Sequence, residues 1–235
     1  MAITISKFED RLASYGFDVT HSFAISALDF QLSDYLNEAI DKNCSGILIG
    51  NSRALWGGFL SWLEKQEKWE EITNPIELYT QQSVESACSE FLPSATIYWM
   101  HETNAYVVPG QQLAHSTGLA FLSAGRFNIH PQYGAWFALR ALIIVKETFP
   151  IDSRLAVNPS TNHIELKAQA IFNKLSAVLA VSEMEHTVKT KWKKWLALRD
   201  IYQVGKEYRY SNAQIEYHYT HKKSVLLREL HAIRE

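Results

Sequence analysis

Two arginines in this chain are set among apolar neighbours, and arginine in such a place binds anions. Arg140 lies inside Trp136–Val145, a run of aromatic, aliphatic and β-branched residues that reads as a strand buried on both faces. With a period of two it shares a face with Trp136, Ala138, Leu142 and Ile144. A guanidinium there cannot be neutralised, so it needs a carboxylate, a phosphate or another anion. That anion is either an Asp or Glu of the chain or part of a ligand. Arg199 lies in Lys191–Asp200. Trp192, Trp195, Leu196, Arg199 and Tyr202 fall on one helical face there, and Lys189, Lys193 and Asp200 point elsewhere. Either the Arg199 stem is buried while its head snorkels to water, or the two arginines clamp a carboxylate-bearing small molecule.

Other chemistries are poorly served. There is no G-x-S-x-G elbow, no G-x-G-x-x-G loop and no Walker lysine. His218 and His221 are three apart but lack a third ligand, and read as solvated imidazoles. His101, His115 and His130 flank one predicted helix, but nothing in their spacing brings them together, so no metal site is expected. The two cysteines, Cys44 and Cys88, form no C-x-x-C, which excludes a Cys-ligated cluster and points to a reducing compartment. A net charge of −2 argues against nucleic acid, even with the Lys/Trp cluster before Arg199. Lys7, Glu9, Asp10 and Arg11 interrupt any apolar signal core, and no apolar run approaches the ~20 residues of a membrane span. A cytoplasmic protein is expected.

The elements that must hold these residues are set by periodicity and punctuation. Hydrophobic residues are 47% of the chain, with seven Trp and eleven Tyr, enough for a real core. Ile3–Tyr15 reads as a helix with Ile5, Phe8, Leu12 and Tyr15 inward, stopped by Gly16. Phe17–Leu28 reads as extended, with Phe17, Val19, His21 and Phe23 on one face. Leu32–Ile40 reads as a short helix, and Gly46–Gly50 as a buried strand. Asn51-Ser52 leads into a helix over Leu55–Lys68 with Trp56, Phe59, Leu60 and Leu63 inward. Asn74 caps and Pro75 begins the next helix, with Glu77 three after the cap; it runs to about Phe91 and Pro93 closes it. Ala95–Met100 is a strand and His101–Gly110 a loop. Gln111–Ser123 reads as a helix holding Gly118, at a cost of up to ~1 kcal/mol.

His130–Gly134 is a turn before the Arg140 strand. Polar, irregular sequence with Pro150 and Pro159 comes after it, and Phe149–His163 reads as a surface loop. Helices are then predicted over Ile164–Glu183 (long and apolar), His186–Gln203, from a Ser211 cap, and over Ser224–Arg234. The last buries Val225, Leu227, Leu230 and Ile233. The sum is a single α+β domain over residues 1–235, one sheet covered by helices, with a helical C-terminal part from about residue 163.

Ile129-His-Pro-Gln-Tyr-Gly-Ala-Trp-Phe-Ala-Leu-Arg140 closely resembles the I-H-P-x-[FY]-G-x-W-F-x-[IL]-R segment of the CblC-type cobalamin-processing enzymes, vitamin B12 chaperones related to flavin nitroreductases. Three more stretches agree in order. Tyr15-Gly-Phe-Asp-Val19 is similar to F-G-F-E-V, and Ile72-Thr-Asn-Pro75 to L-T-D-P. Trp195 to Arg199-Asp200, with Arg209-Tyr-Ser211, Gln214 and Tyr217, is similar to W-x-x-x-R-D then R-Y-S-x-x-Q-x-x-Y. The first and last segments are specific, and the match spans most of the chain.

The resemblance implies a nitroreductase-like α+β fold, with an antiparallel or mixed sheet, that binds base-off cobalamin. It implies removal of the upper ligand, by alkyl transfer to glutathione or by decyanation with reduced FMN or FAD. Arg140 and Arg199 match the arginines that hold glutathione in the family. A third family arginine falls near Lys222-Lys223, where lysine offers a point charge and not a fork. Gln112-Leu113-Ala114-His115 and the Ala124–Asn128 stretch, with Arg126, Phe127 and Asn128, match segments lining the corrin and flavin cavity. His101, Tyr133, Trp136 and Leu139 join that lining. A family hairpin before the His-Pro segment is missing, which bears on dimerisation and tightness of binding. Partners implied are a flavin reductase or a downstream cobalamin-accepting protein.

Gly118 to Gly134 is also similar to the cobalamin-binding region of epoxyqueuosine reductases, whose two iron–sulfur clusters two cysteines cannot supply. Three functions are consistent with these residues: a cobalamin dealkylase or decyanase, a non-catalytic corrinoid chaperone, or a nitroreductase-like flavoenzyme without corrinoid.

Overall fold

The computed structural model describes residues 2–146, 155–177 and 184–234, with backbone alone at 2–4 and 184–190. In chain order the elements are α1 (Ala2–Ser14), β1 (Val19–Ala24), α2 (Ser33–Leu36), β2 (Ser45–Asn51), α3 (Leu55–Leu63), α4 (Pro75–Phe91), β3 (Thr96–Trp99), α5 (Gly110–Ser116), β4 (Phe121–Leu122), β5 (Asn128–Ile129), β6 (Ala138–Val145), α6 (Asn162–Ser176), α7 (Met184–Arg199), α8 (Asn212–Thr220) and α9 (Lys223–Arg234). No helix among the described residues is long and apolar enough to cross a membrane. The chain divides into two compact units, Met1–Leu119 with Phe137–Ala156, and Ala120–Trp136 with Val157–Glu235.

The first unit holds a four-stranded sheet in the order β1-β2-β6-β3, every pair antiparallel. β2 is buried at all of its positions, so both faces of the sheet are covered at its centre. α1 and α4 pack together, and Phe8, Leu12, Phe17, Phe59 and Leu63 are fully buried. Each such side chain contributes about 1.5–3 kcal/mol by leaving water. Tyr79 stacks on Phe17 with ring centroids 6.0 Å apart, and its hydroxyl donates to the Tyr15 carbonyl at 2.7 Å. Gly16 ends α1 at φ +90°, as its sequence position predicts.

The pairing of β2 with β6 is broken at one point. Ile49 of β2 opposes Ala141, and the next residue, Gly50, opposes Leu139. Arg140 is therefore the extra residue of a β-bulge, and the period-two face expected for it is broken at Arg140 itself. Gly50 is required at this point. A Cβ there would stand 2.6 Å from the Ala138 carbonyl oxygen.

The second unit is mainly helical, with a two-stranded ribbon of β4 and β5. Its core joins Ile129, Trp136, Ala168, Trp195, Leu198, Tyr202, Tyr210 and Ile215. Ser211 caps α8, its Oγ accepting from the Gln214 amide at 3.1 Å.

Several local expectations are corrected. The Leu32–Ile40 helix shortens to one turn, because Asn37 at φ +58° ends it. The Leu55–Lys68 helix stops at Leu63, and Lys68 lies at φ +51°. Asn74 precedes Pro75 as expected, but its side chain makes no cap bond. α5 ends at Ser116, so Gly118, at φ +85°, lies beyond the helix; β4 occupies part of the stretch assigned to it.

α6 is exposed along most of its length, with Ala168 its one fully buried residue among those described, so it is not the apolar helix expected. The predicted end of that helix at Glu183 lies outside the described residues, as does much of the Phe149–His163 loop. α7 ends at Arg199, which leaves Tyr202 beyond it. In α9, Leu226 is buried in place of Leu227 and Ile233, which are 46% and 50% exposed.

Candidate functional site

The matched residues fall into two groups, one in each unit. In the first unit Arg140 is half-buried on the bulge. Its carbonyl accepts from the Met100 amide at 3.0 Å, and its Nε donates to Asn51 Oδ1 at 2.7 Å. Asn51 is fully buried at the end of β2, and its Nδ2 donates to the Ser52 carbonyl at 2.7 Å. Ser52 is fixed in turn by Asp18: the Ser52 amide donates to Oδ1 at 2.7 Å and its hydroxyl to Oδ2 at 2.5 Å. The arginine is thus held at the end of a polar chain rooted in the loop between α1 and β1. Sequence reasoning missed Asn51. The signal was there, an amide at the end of an otherwise apolar strand, but Asn51-Ser52 read as the approach to α3.

The remaining first-unit candidates surround α5. Leu113 and Ala114 are fully buried and serve as core. Gln112 Oε1 accepts from the Tyr35 hydroxyl at 3.2 Å, and His115 is half-buried. Leu139 lies near the start of α5, since a Cβ on Gly110 would be 3.4 Å from its Cδ1. His101 is exposed, stacked on Trp99 with centroids 6.1 Å apart and Nε2 3.4 Å from Gln81 Nε2.

In the second unit the His130–Gly134 turn is closed by two backbone bonds, His130 N to Gly134 O and Gly134 N to His130 O, both 2.9 Å. The His130 ring braces the turn from within. Its Nδ1 accepts from the Gln132 amide at 3.1 Å and the Tyr133 amide at 3.2 Å. Tyr133 packs edge-on to Tyr208, centroids 4.8 Å apart. Gly134 at φ +56° and Gly205 at φ +69° let two backbones touch: a Cβ on Gly134 would overlap Val204 O, and one on Gly205 would overlap Tyr133.

Arg199 is 4% exposed, so it does not snorkel. Its Nε donates to the Ala135 carbonyl at 2.7 Å, and its guanidinium carbon lies 4.5 Å from the Trp136 ring centroid and 5.0 Å from that of Tyr210. Arg209 also faces Trp136, at 5.1 Å, and grips Asp200 with Nε to Oδ1 at 2.8 Å and Nη2 to Oδ2 at 3.2 Å. Those hydrogen bonds raise the Arg209 pKa above its ordinary value. The R-D and R-Y-S segments, ten residues apart from Arg199 to Arg209, therefore meet around one indole.

The β4–β5 hairpin carries Arg126, Phe127 and Asn128. Arg126 is exposed at φ +62°, a conformation rare for a residue with a Cβ. Phe127 packs edge-on to Tyr202, centroids 6.4 Å apart, and burial pushes the Tyr202 phenol up. Asn128 pairs with Leu122. Lys222 is exposed and Lys223 half-buried at the start of α9. His218 is exposed, and its ring stands edge-on to Tyr210 and Tyr219. Among the described residues no group of three His, Cys, Asp or Glu could hold a metal ion.

The chain matches no protein-family model and no curated protein sequence. Its structure is similar to that of the C. elegans B12-trafficking protein CblC, a homologue of human MMACHC, with a TM-score of 0.70 and 18% identity over 96% of this chain and 95% of that one. The mixed α+β architecture, an antiparallel sheet covered by helices, agrees with the class expected from the sequence. Over nearly its whole length the chain therefore has the fold of a CblC-type B12-trafficking protein.

Proposed function

We propose that this protein binds cobalamin and removes its upper axial ligand by transferring an alkyl group to glutathione. The observation that carries the proposal is the whole-length likeness to a B12-trafficking protein. The I-H-P-Q-Y-G-A-W-F-A-L-R segment supports it, because that segment here forms a closed, braced turn followed by an oriented arginine. Arg140 and Arg199 are each held through Nε by a neutral oxygen at 2.7 Å, the Asn51 amide and the Ala135 carbonyl. Such anchors fix the plane of the fork, as the positioning of a carboxylate by a guanidinium requires.

In the reaction the glutathione thiolate attacks the cobalt-bound methyl carbon of the substrate. A carbon–sulfur bond forms, the cobalt–carbon bond breaks, and its electron pair stays on cobalt as cob(I)alamin. The thiol proton is lost to solvent before attack. Arg140 contributes by positioning the peptide carboxylate, and no flavin takes part.

Reductive decyanation would need a bound flavin, and the Ala124–Asn128 stretch makes a poor phosphate cradle. The Ser123 amide donates to Phe127 O at 2.8 Å, Ala124 to Glu165 Oε2 at 2.7 Å, Arg126 to Ser123 O at 3.0 Å and Phe127 to Ser123 Oγ at 3.2 Å. Arg126 is the cation that stretch offers a phosphate. The thiol route is therefore the one proposed.

Absorbance titration with methylcobalamin, followed by anaerobic glutathione, tests this reading. A blue shift on binding and then a cob(I)alamin spectrum are expected, and Arg140→Ala keeps the first while losing most of the second. Binding without a thiol-dependent change would instead mark a chaperone. No shift at all, with FMN bound, would mark a flavoenzyme.

A further inference from the structure

We infer that the connection between β1 and β2 forms a further binding site, with no arginine in its wall, for a small zwitterion: a free amino acid with an apolar side chain. The inference does not rest on the cobalamin reading.

The site is a cavity of about 200 Å³ in the first unit, walled by residues of the stretch 25–33 together with Ile40 and Lys42. That is below the ~300–1,000 Å³ of sites for drug-sized ligands, so its occupant is smaller than they are. The apolar part of the wall is the sheltered part: Ile25 and Leu32 are buried, and Phe30 and Ile40 are half-buried. The exposed part carries one charge of each sign, Asp29 and Lys42.

These two charges do not answer each other. Asp29 and Lys42 form no ion pair together, and neither forms one with any other described residue. Asp29 Oδ1 accepts from the Ser116 hydroxyl at 3.1 Å, and Oδ2 has no hydrogen-bond partner among the described residues. The wall is also held in place before any ligand arrives. Ser116 ties Asp29 to the end of α5, the Tyr35 hydroxyl donates to Gln112 Oε1 at 3.2 Å, and Asn37 Nδ2 donates to the Ala105 carbonyl at 2.9 Å. A connection braced at three points loses little freedom when it binds.

The pair of charges selects the ligand class. An inorganic anion would be drawn to Lys42 and repelled by Asp29. A metal ion or a polyamine would be drawn to Asp29 and repelled by Lys42. A wholly apolar molecule would strip water from both and return nothing. A zwitterion satisfies both, its ammonium toward Asp29 and its carboxylate toward Lys42, while its side chain covers the apolar wall. Both charges are exposed, so each contributes little and the affinity is on the order of millimolar.

The test is a titration of the full-length protein with L-leucine, followed by NMR of the backbone amides. N-acetyl-leucine, leucine amide and glycine serve as matched probes that remove the ammonium, the carboxylate and the side chain in turn. Saturable leucine binding is expected, with shifts centred on residues 25–42 and each matched probe at least ~3-fold weaker. Asp29→Asn should weaken leucine and leave N-acetyl-leucine unchanged. Lys42→Gln should weaken leucine and leave leucine amide unchanged. Both side chains are exposed, and an unchanged urea midpoint shows that the variants keep the fold.

The inference is overturned if leucine shows no saturable binding up to ~50 mM, or if its shifts fall outside this connection. It is overturned equally if N-acetyl-leucine binds as well as leucine, or if both variants bind leucine as wild type does. None of these outcomes bears on cobalamin binding, which is read separately by absorbance.

Discussion

The guanidinium carbon of Arg199 lies 4.5 Å from the ring centroid of Trp136, and its Nε donates at 2.7 Å to the carbonyl of Ala135, the residue just before that ring. One side chain of α7 thus grips both the backbone and the face of the segment that comes after the His-Pro turn. Only a planar cation can do both. Arg199→Ala and Arg199→Lys are therefore expected to destabilise the protein by similar amounts, about 2–3 kcal/mol in urea unfolding. Recovery of most of the stability by lysine would contradict the planar-stack account.

His130 is expected to matter for folding before it matters for any ligand. Its Nδ1 satisfies the amides of Gln132 and Tyr133. His130→Ala should cost about 1–2 kcal/mol in thermal or urea unfolding, and His130→Asn should regain part of it, because an amide oxygen can accept in the same place. If asparagine is no better than alanine, the bracing role is wrong.

Gly134→Ala and Gly205→Ala should be among the most damaging single changes in the second unit. Each residue has a positive φ, and each new methyl would overlap backbone of the facing segment. A loss of about 3 kcal/mol or more is expected for either, well above the ~1 kcal/mol usual for a glycine in a left-handed turn alone. The measurement is the soluble yield together with the denaturant midpoint.

Burial pushes the Cys88 thiol up to about 12, with the charge of Glu85 acting in the same direction. At pH 8 a disulfide reagent should therefore label half-buried Cys44 and leave Cys88 untouched until the chain unfolds. The same shift sets the sign of the stability effect. The folded value lies above the ordinary value of 9.0, so the folded chain keeps a proton that the unfolded chain gives up. The contribution is complete below pH 9 and is lost as pH rises toward about 12. Burial raises the phenols of Tyr79 and Tyr202 as well, with the same sign. The urea midpoint should fall steadily over that range, and a rise would refute the assignment.

Much of the architecture was legible in the sequence because its signals are local. The glycine after α1, the proline at the start of α4 and the serine cap of α8 act within a few residues of themselves, and all three lie where punctuation predicts. The buried strand β2 declares itself by an unbroken apolar run between glycines. Where local signals are weak, sequence and structure part. β4 and β5 are two residues each, too short for any periodicity; β4 fell within a predicted helix, and β5 lies in the stretch just before the predicted turn, to which no element was assigned. In α9 one step of helical phase exchanged Leu226 for Leu227.

By itself the sequence determined the α+β class, the order of most elements, and two arginines that had to be held by something. It left open what holds them, because the answers are far away along the chain. Asn51 and Arg140 are 89 positions apart, and Ala135 and Arg199 are 64. The bulge that makes Arg140 an extra residue belongs to the pairing of two strands and is visible in neither one alone. A guanidinium needs a partner wherever it is buried. Which partner it finds, and whether that partner is neutral, depends on strand register and backbone approach, and only the tertiary structure decides those.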